Sequence, residues 1–287
     1  MKIFRPSLAA LLLAAAPAAQ AAPALWKVSD ADTTIYLFGS IHALPGGTPW
    51  YSGPVKTAFE KSDTLVLEMV MPKSESDFAP SLMAMGFSDG QPPLAERVAA
   101  TERPRLAAAL RAASLPATAL NAMETWLATL MLSMQQFKSF GLDPRNGVER
   151  QLTTKAEAAR KRIVGLETAA EQMGYFDALP EADQRAFLSA TLKQWPEMKP
   201  KIGQLIGKWT AGDEAAIGEE FNSSMKETPR LAKVLLADRN ARWADWIKAR
   251  MAQPGTVFVA VGAGHLSGTD SVQAKLARHG LTSERVK

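Results

Sequence analysis

Two stretches decide the reading of this chain. They are Thr33-Thr34-Ile35-Tyr36-Leu37-Phe38-Gly39-Ser40-Ile41-His42 near its start and Thr256-Val257-Phe258-Val259-Ala260-Val261-Gly262-Ala263-Gly264-His265 near its end. Each is a run of β-branched and aromatic residues that closes on Gly-x-x-His. Short, continuous apolar runs bounded by turn residues mark strands buried on both faces, the habit of parallel or mixed sheets covered by helices. The strands are expected over Thr33–Phe38 and Thr256–Val261. Two further runs, Thr64–Met69 and Arg162–Leu166, have the same character. One carries Glu68 near its end and the other leads into Glu167. Four strands thus each deliver a His or Glu at or near the carboxyl end. In open α/β sheets, the crevice outside those ends is where ligands bind.

Working outward, residues 75 to 160 are dominated by Ala, Leu, Met, Gln and Arg, all helix formers. Pro92-Pro93, Pro104, Pro116 and Pro144 cut this stretch into several helices. A second helical stretch spans about 181 to 252, where the Trp and Met residues are read as core. Val272–His279 reads as one more helix, followed by a short strand at Thr282–Val286. The expected fold is α/β. A mixed, largely parallel central sheet takes strands from both ends of the chain, with a large helical insertion at about 75–160 in a single domain of residues 22–287.

The strand ends carry the chemistry. The chain has only three histidines. His42 and His265 sit at matching strand ends, and with Glu68 and Glu167 they could bind a metal or transfer protons. Glu167 is also placed to sit in the first turn of a following helix. Gly39, Gly262 and Gly264 are expected to let the backbone leave the strands by tight turns and to leave room for a ligand. His279, before Gly280, is expected to meet a helix end instead. Ser40 has no expected partner beyond His42. No Gly-x-Ser-x-Gly elbow is present, which argues against a serine nucleophile.

The remaining composition sets bounds. There is no cysteine, so disulfides, thiol catalysis and Cys-type zinc sites are excluded. The net charge of +4 is small, and basic residues are interleaved with acidic ones, as in Glu157 to Arg162. That is a solvated surface and not a nucleic-acid footprint. Lys2 and Arg5, the apolar run Leu8 to Ala16, and Ala19-Gln20-Ala21 have the order of a signal peptide over residues 1–21. Export to a periplasm, or secretion, is therefore expected, with no stable membrane insertion after cleavage. The apolar run is too short to anchor in a bilayer.

Taken in order, Leu37-Phe38-Gly39-Ser40-Ile41-His42, Val66-Leu67-Glu68, Gly147-Val148-Glu149, Gly165-Leu166-Glu167-Thr168 and Val261-Gly262-Ala263-Gly264-His265-Leu266 resemble the TraB/GumN family. Arg239-Asn240, ahead of Trp243, also looks like its pattern. The family is similar to the TIKI metalloproteases of animals, and more distantly to erythromycin-esterase-like and haem-binding ChaN-like proteins. The resemblance implies that His42, Glu68 and His265 are catalytic or metal-binding positions, with a divalent ion, Mn or Co ahead of Zn, as cofactor. Glu149 departs from the Asp that the family often shows. The leading expectation is an exported metal-dependent hydrolase of peptides or other small substrates. Its metal would be held by His42, Glu68 and His265, with Glu167 as fourth ligand or as a partner orienting a histidine. A metal-free esterase-like hydrolase and a non-catalytic ligand- or haem-binding protein are the alternatives.

Overall fold

In the computed structural model, residues 22–70 and 75–287 are described. The signal-peptide segment lies outside them. Six strands form one sheet: β1 Leu25–Ser29, β2 Thr33–Ser40, β3 Thr64–Met69, β4 Arg162–Glu167, β5 Gly255–Gly262 and β6 Glu284–Arg285. Their order across the sheet is β4-β3-β5-β2-β1-β6. Strands β4, β3, β5 and β2 are parallel neighbours, while β1 pairs antiparallel with both β2 and β6. The sheet is therefore mixed and largely parallel, with strands from both ends of the chain.

Strand β1 was not expected. Lys27 interrupts its apolar pattern, and pairing with β2 supplies what local sequence lacks. The hairpin turns where the Asp30 side chain accepts hydrogen bonds from the backbone of Asp32 and Thr33, a local bond that fixes a tight turn. The C-terminal strand is shorter than expected.

Twelve α-helices complete the described chain. They are α1 Gly53–Lys61, α2 Glu75–Gly86, α3 Arg103–Ala112, α4 Thr125–Ser139, α5 Val148–Ala158, α6 Ala169–Asp177, α7 Glu181–Gln194, α8 Met198–Thr210, α9 Glu214–Ser224, α10 Pro229–Ala232, α11 Asp238–Arg250 and α12 Val272–Arg278. A π-helical turn, Lys233–Ala237, joins α10 to α11. No helix among the described residues is long and apolar enough to cross a membrane.

Alternation along the strands builds two cores. Phe38, Leu65, Leu67 and Phe258 face α1, α5, α8 and α9. Ile35, Leu37, Val66, Val257, Val259 and Val261 face α11 and α12. Covering both faces explains why the strands read as unbroken apolar runs. A separate core, including Leu106, Leu110, Leu132, Leu188 and Leu192, holds α3, α4 and α7 together. The helical insertion thus packs largely against the helices that follow β4, α7 above all. Trp209 ties the layers to the site. It is buried against Phe38 and Trp50, and its Nε1 donates to the Gly39 carbonyl at 2.7 Å. This fixes the end of β2 just before His42.

Candidate active site

Register brings the two Gly-x-x-His ends together. In the parallel β2–β5 ladder, Ser40 lies beside Gly262, so His42 and His265 leave neighbouring strands on the same edge of the sheet. Strand β3 lies on the other side of β5, with Leu67 beside Ala260. Glu68 there accepts a hydrogen bond from the Gly262 N–H through Oε1 at 2.6 Å. A Cβ on Gly262 would lie 3.2 Å from Glu68 Oε1, 3.5 Å from His265 Cδ2 and 3.5 Å from His42 Nε2. The three side chains expected to be catalytic therefore surround one glycine. None of Gly39, Gly262 and Gly264 has a left-handed backbone, so they do not serve as tight turns. What they permit is close approach: a Cβ on Gly39 would press on Ala263 at 3.0 Å.

His42 has a partner that its strand does not supply. Its Nδ1 lies 2.6 Å from Glu149 Oε1, and Ser40 Oγ donates to the same oxygen. The segment Gly147-Val148-Glu149 makes this possible. The Val148 N–H donates to the Ile41 carbonyl at 3.1 Å, and a Cβ on Gly147 would come within 2.0 Å of the His42 carbonyl oxygen. Glycine lets the start of α5 lie against the backbone at His42 and aim Glu149 at its ring. Gly147→Ala is expected to push α5 off this contact. It should lower any His42-dependent turnover by roughly tenfold or more, since small misplacements of catalytic groups are costly. Unchanged turnover in a folded Gly147→Ala variant would disprove this role.

Glu68 and Glu167 are joined by an arginine. Arg239 is buried in the first turn of α11. Its Nε lies 3.0 Å from both oxygens of Glu167, and its Nη2 lies 2.6 Å from Glu68 Oε2 and 2.7 Å from Glu167 Oε2. Its Nη1 donates to the Leu235 carbonyl, within the π turn, at 3.2 Å. Single π turns inside helices often mark functional sites, and here the turn directly precedes the residues that face the sheet edge. Glu167 also accepts from Trp243 Nε1, Tyr175 Oη and Gln172 Nε2, each at 3.1 Å. It closes β4 and does not enter the next helix, which is capped by Thr168 with Glu171.

His265 completes the cluster. Its Nδ1 is 2.6 Å from Asn240 Oδ1. The Asn240 amide nitrogen is engaged by the Asp270 carbonyl at 2.8 Å, so Oδ1 must accept and His265 Nδ1 carries the proton. Its Nε2 is then a lone pair facing Arg239 Nη1 at 3.2 Å. Trp243 lies beside the ring, centroids 4.4 Å apart. That tryptophan is core, as expected, and also a wall of the site.

The electrostatics separate the two histidines. Burial is the largest effect on His265. Together with Arg239 and His42 it outweighs Glu68 and lowers the pKa to about 3, so this ring is neutral. At His42 the charge of Glu149 is the largest effect. With the hydrogen bond to Glu149 and the charge of Glu68 it outweighs Arg239 and raises the pKa to about 10. Burial alone would raise Glu68, but His265, His42, Arg239 and the Gly262 N–H hold it at about 2. Glu149 is likewise lowered, against burial, by His42 and Ser40. The His42 side chain remains 68 % exposed, whereas His265 and Glu68 are buried.

A pH dependence of stability follows. His265 titrates near its ordinary 6.5 when unfolded and near 3 when folded. Its contribution is therefore complete above pH 6.5 and lost as pH falls toward 3. Glu68, lowered from 4.5, adds a loss in the same direction down to about pH 2. Denaturant midpoints should fall between pH 6.5 and 3, and His265→Gln should flatten that fall. An equally steep fall in the variant would remove His265 from the account.

Of the four residues expected to hold a metal, His42, Glu68 and His265 gather around Gly262, while Glu167 is bonded to Arg239. Among the described residues, no three His, Asp or Glu side chains form a group that could hold a metal ion. Arg239 lies between Glu68 and Glu167, where its guanidinium neutralises them, and it also faces the His265 lone pair. Glu167 serves this arginine and is bonded to neither histidine. His279 lies apart, at the end of α12, with its Nε2 3.0 Å from Asp245. Sequence reading missed Gln172 and Tyr175. Their i, i+3 spacing on α6, directly after Glu167, was the available signal.

The fold and this edge define a class: a single mixed sheet whose parallel strands deliver paired histidines and acidic residues to one edge. The chain belongs to the TraB/PrgY/gumN family, whose model matches residues 24–285. It is similar to the uncharacterized protein YbaP of Escherichia coli (strain K12), 24% identical over 260 residues that cover 88% of this chain and 92% of that one. The YbaP protein of Shigella flexneri is 25% identical over 247 residues, covering 84% of this chain and 87% of that protein. No solved structure matches.

Proposed function

We propose that this protein is an exported hydrolase of acyl substrates, esters or peptides, in which His42 moves the proton. The observation that carries this reading is the His42–Glu149 pair at 2.6 Å. A carboxylate on Nδ1 fixes the ring and leaves Nε2 directed at Gly262, between Glu68 and His265. An imidazole held by a carboxylate, with its other nitrogen facing a crevice, is equipped for general acid–base catalysis. Water is the nucleophile in this reading. Nε2 of His42 takes its proton as it attacks the acyl carbon and returns that proton to the leaving group.

Arg239 is held by two carboxylates. Its hydrogen bonds and charge contacts with Glu167 and Glu68 overcome burial and keep it cationic. It supplies the positive field nearest the crevice, where charge on a developing oxyanion is stabilised. Asn240 and His265 keep the guanidinium and Glu68 in place. The export reading rests on the segment ending at Ala21.

The test is hydrolysis of an ester panel and of an unstructured protein by purified protein, with and without exhaustive chelation. Turnover that survives chelation and disappears in His42→Ala supports the reading. Turnover lost on chelation and restored by Mn or Co would replace it with a metal mechanism. Cell fractionation checks export: full-length protein in the cytoplasm, uncleaved near Ala22, contradicts it.

A further inference from the structure

A cleft opens beside His42. It holds about 570 Å³ between the second half of α4, the loop that follows it, and Ala43, within the range of small-molecule sites. Its position is fixed in two ways. Ala43 lines it and is the residue after His42, so their Cα atoms are only about 3.8 Å apart. The facing wall, Leu142 to Arg145, is tied to the same stretch of chain. The Leu44 N–H donates to the Asp143 carbonyl at 3.4 Å, and the Asp143 N–H donates to the Leu44 carbonyl at 3.1 Å. The chain then passes Val148, which donates to the Ile41 carbonyl, and reaches Glu149, which holds the His42 ring. One segment therefore walls the cleft at one end and orients His42 at the other.

The lining has two chemistries. Met131, Met134, Phe137 and Leu142 are apolar. Met134 is 56 % exposed, so its burial beneath a ligand's apolar chain is favourable. Unbranched thioethers also adapt to chains of varied shape. The polar lining carries two cations, Lys138 and Arg145, against one carboxylate, Asp143. Arg145 and Asp143 satisfy each other at 2.7 Å, which leaves Lys138 without a counter-charge in the cleft. The end of α4 does not need it. The Gly141 N–H already donates to the Lys138 carbonyl and the Leu142 N–H to the Phe137 carbonyl. An apolar trough beside His42, with one unmatched ammonium, fits an apolar chain that carries a carboxylate.

We infer that this cleft is a specificity subsite for the acyl arm of the substrate, taken as an apolar chain bearing a carboxylate, with Lys138 as that carboxylate's partner. The inference deepens the hydrolase reading by naming a feature of the substrate. It rests on that reading only for its link to turnover.

Binding and turnover are therefore measured separately. Methyl NMR of protein labelled at methionine follows Met131 and Met134 as monomethyl suberate or dimethyl suberate is added. Both methyls should shift saturably. The charged monoester should bind about two- to fivefold tighter at low salt, an advantage that shrinks at high salt. Lys138→Met should bring the monoester to the diester's level, and Lys138→Arg should keep the advantage. Lys138 is exposed on α4, so both variants should fold. For turnover, mono-p-nitrophenyl esters of adipic, suberic and sebacic acids are compared with p-nitrophenyl alkanoates of equal carbon number. The charged series should show the higher kcat/KM, and Lys138→Glu should reverse the preference. Methyl signals that do not move, or a preference for charge that survives Lys138→Met, overturn the subsite. Saturable shifts without ester turnover uphold the cleft and remove the hydrolase. Equal turnover of both series, with unmoved methyls, upholds the hydrolase and removes the subsite.

Discussion

Replacing Arg239 with methionine is expected to cost about 3–5 kcal/mol of stability, the penalty of leaving buried charge without its partner. In a chain of this size that lowers the melting temperature by on the order of 10 °C. The size of the effect follows from the count of groups stranded. Glu68 and Glu167 are both buried, and both take their shortest contacts with a cation from Arg239 Nη2. Arg242 approaches Glu167 only to 3.7 Å and is half exposed, so it cannot replace the lost charge. The two carboxylates would then repel each other in a medium of low dielectric. Arg239→Lys should recover only part of the loss, because an ammonium cannot serve both acids and the Leu235 carbonyl in one planar fork. Denaturant unfolding of the parent and both variants gives the numbers. A loss below about 1 kcal/mol in Arg239→Met, at an unchanged slope, would mean that water reaches the carboxylates and that the clamp is weak. Adding Glu167→Gln to Arg239→Met should restore part of the stability, since it removes one of the two stranded charges and leaves Glu68.

The second large effect is on turnover. His42→Ala should lower kcat/KM by about 10²- to 10⁴-fold, the usual contribution of a general acid–base. Stability should fall as well, because Glu149, held ionised against burial by His42 and Ser40, loses its counter-charge; a folded variant is needed for the comparison. The pH profile separates proton transfer from mere positioning. To accept a proton from water, His42 must first be neutral. Its pKa is raised by Glu149, so the neutral form grows as pH climbs above 7 and kcat/KM should climb with it. Glu149→Gln keeps the size and loses the charge. The rising limb should then move toward the ordinary 6.5, while the rate at high pH falls because the ring is less firmly oriented. A limb that stays put in Glu149→Gln would show that some other group titrates. Full activity in His42→Ala would end the proposal.

The metal set and the arginine clamp differ in one physical respect. Carboxylates gathered at a sheet edge need a counter-charge, and either an ion or a guanidinium can supply it. Residues 42, 68, 167 and 265 read alike under both solutions. What distinguishes them is a residue on a distant helix, placed by the packing of Trp243, Ala244 and Ile247 on the face of the sheet. Arg239 was noticed in the sequence only as part of a family pattern, with no partner assigned. Glu149 departs from the Asp that the family often shows. In the structure its carboxylate contacts His42 at 2.6 Å.

By itself, the sequence determined the strands and their chemistry. Apolar, largely β-branched runs, each ending near a His or Glu, specify β2 to β5 almost residue by residue, because helices cover both faces of the inner strands β3 and β5. The common edge followed, since parallel strands point their carboxyl ends the same way. The antiparallel strand β1, which depends on its hairpin with β2, did not. Only the tertiary structure decided who pairs with whom. His42 and Glu149 are 107 residues apart, and Arg239 and Glu68 are 171 apart. Such contacts are set by how helices settle on the sheet, through the Gly147 contact and the turn before α11. No local pattern of hydrophobicity encodes the direction in which a guanidinium or a carboxylate will point once they have settled.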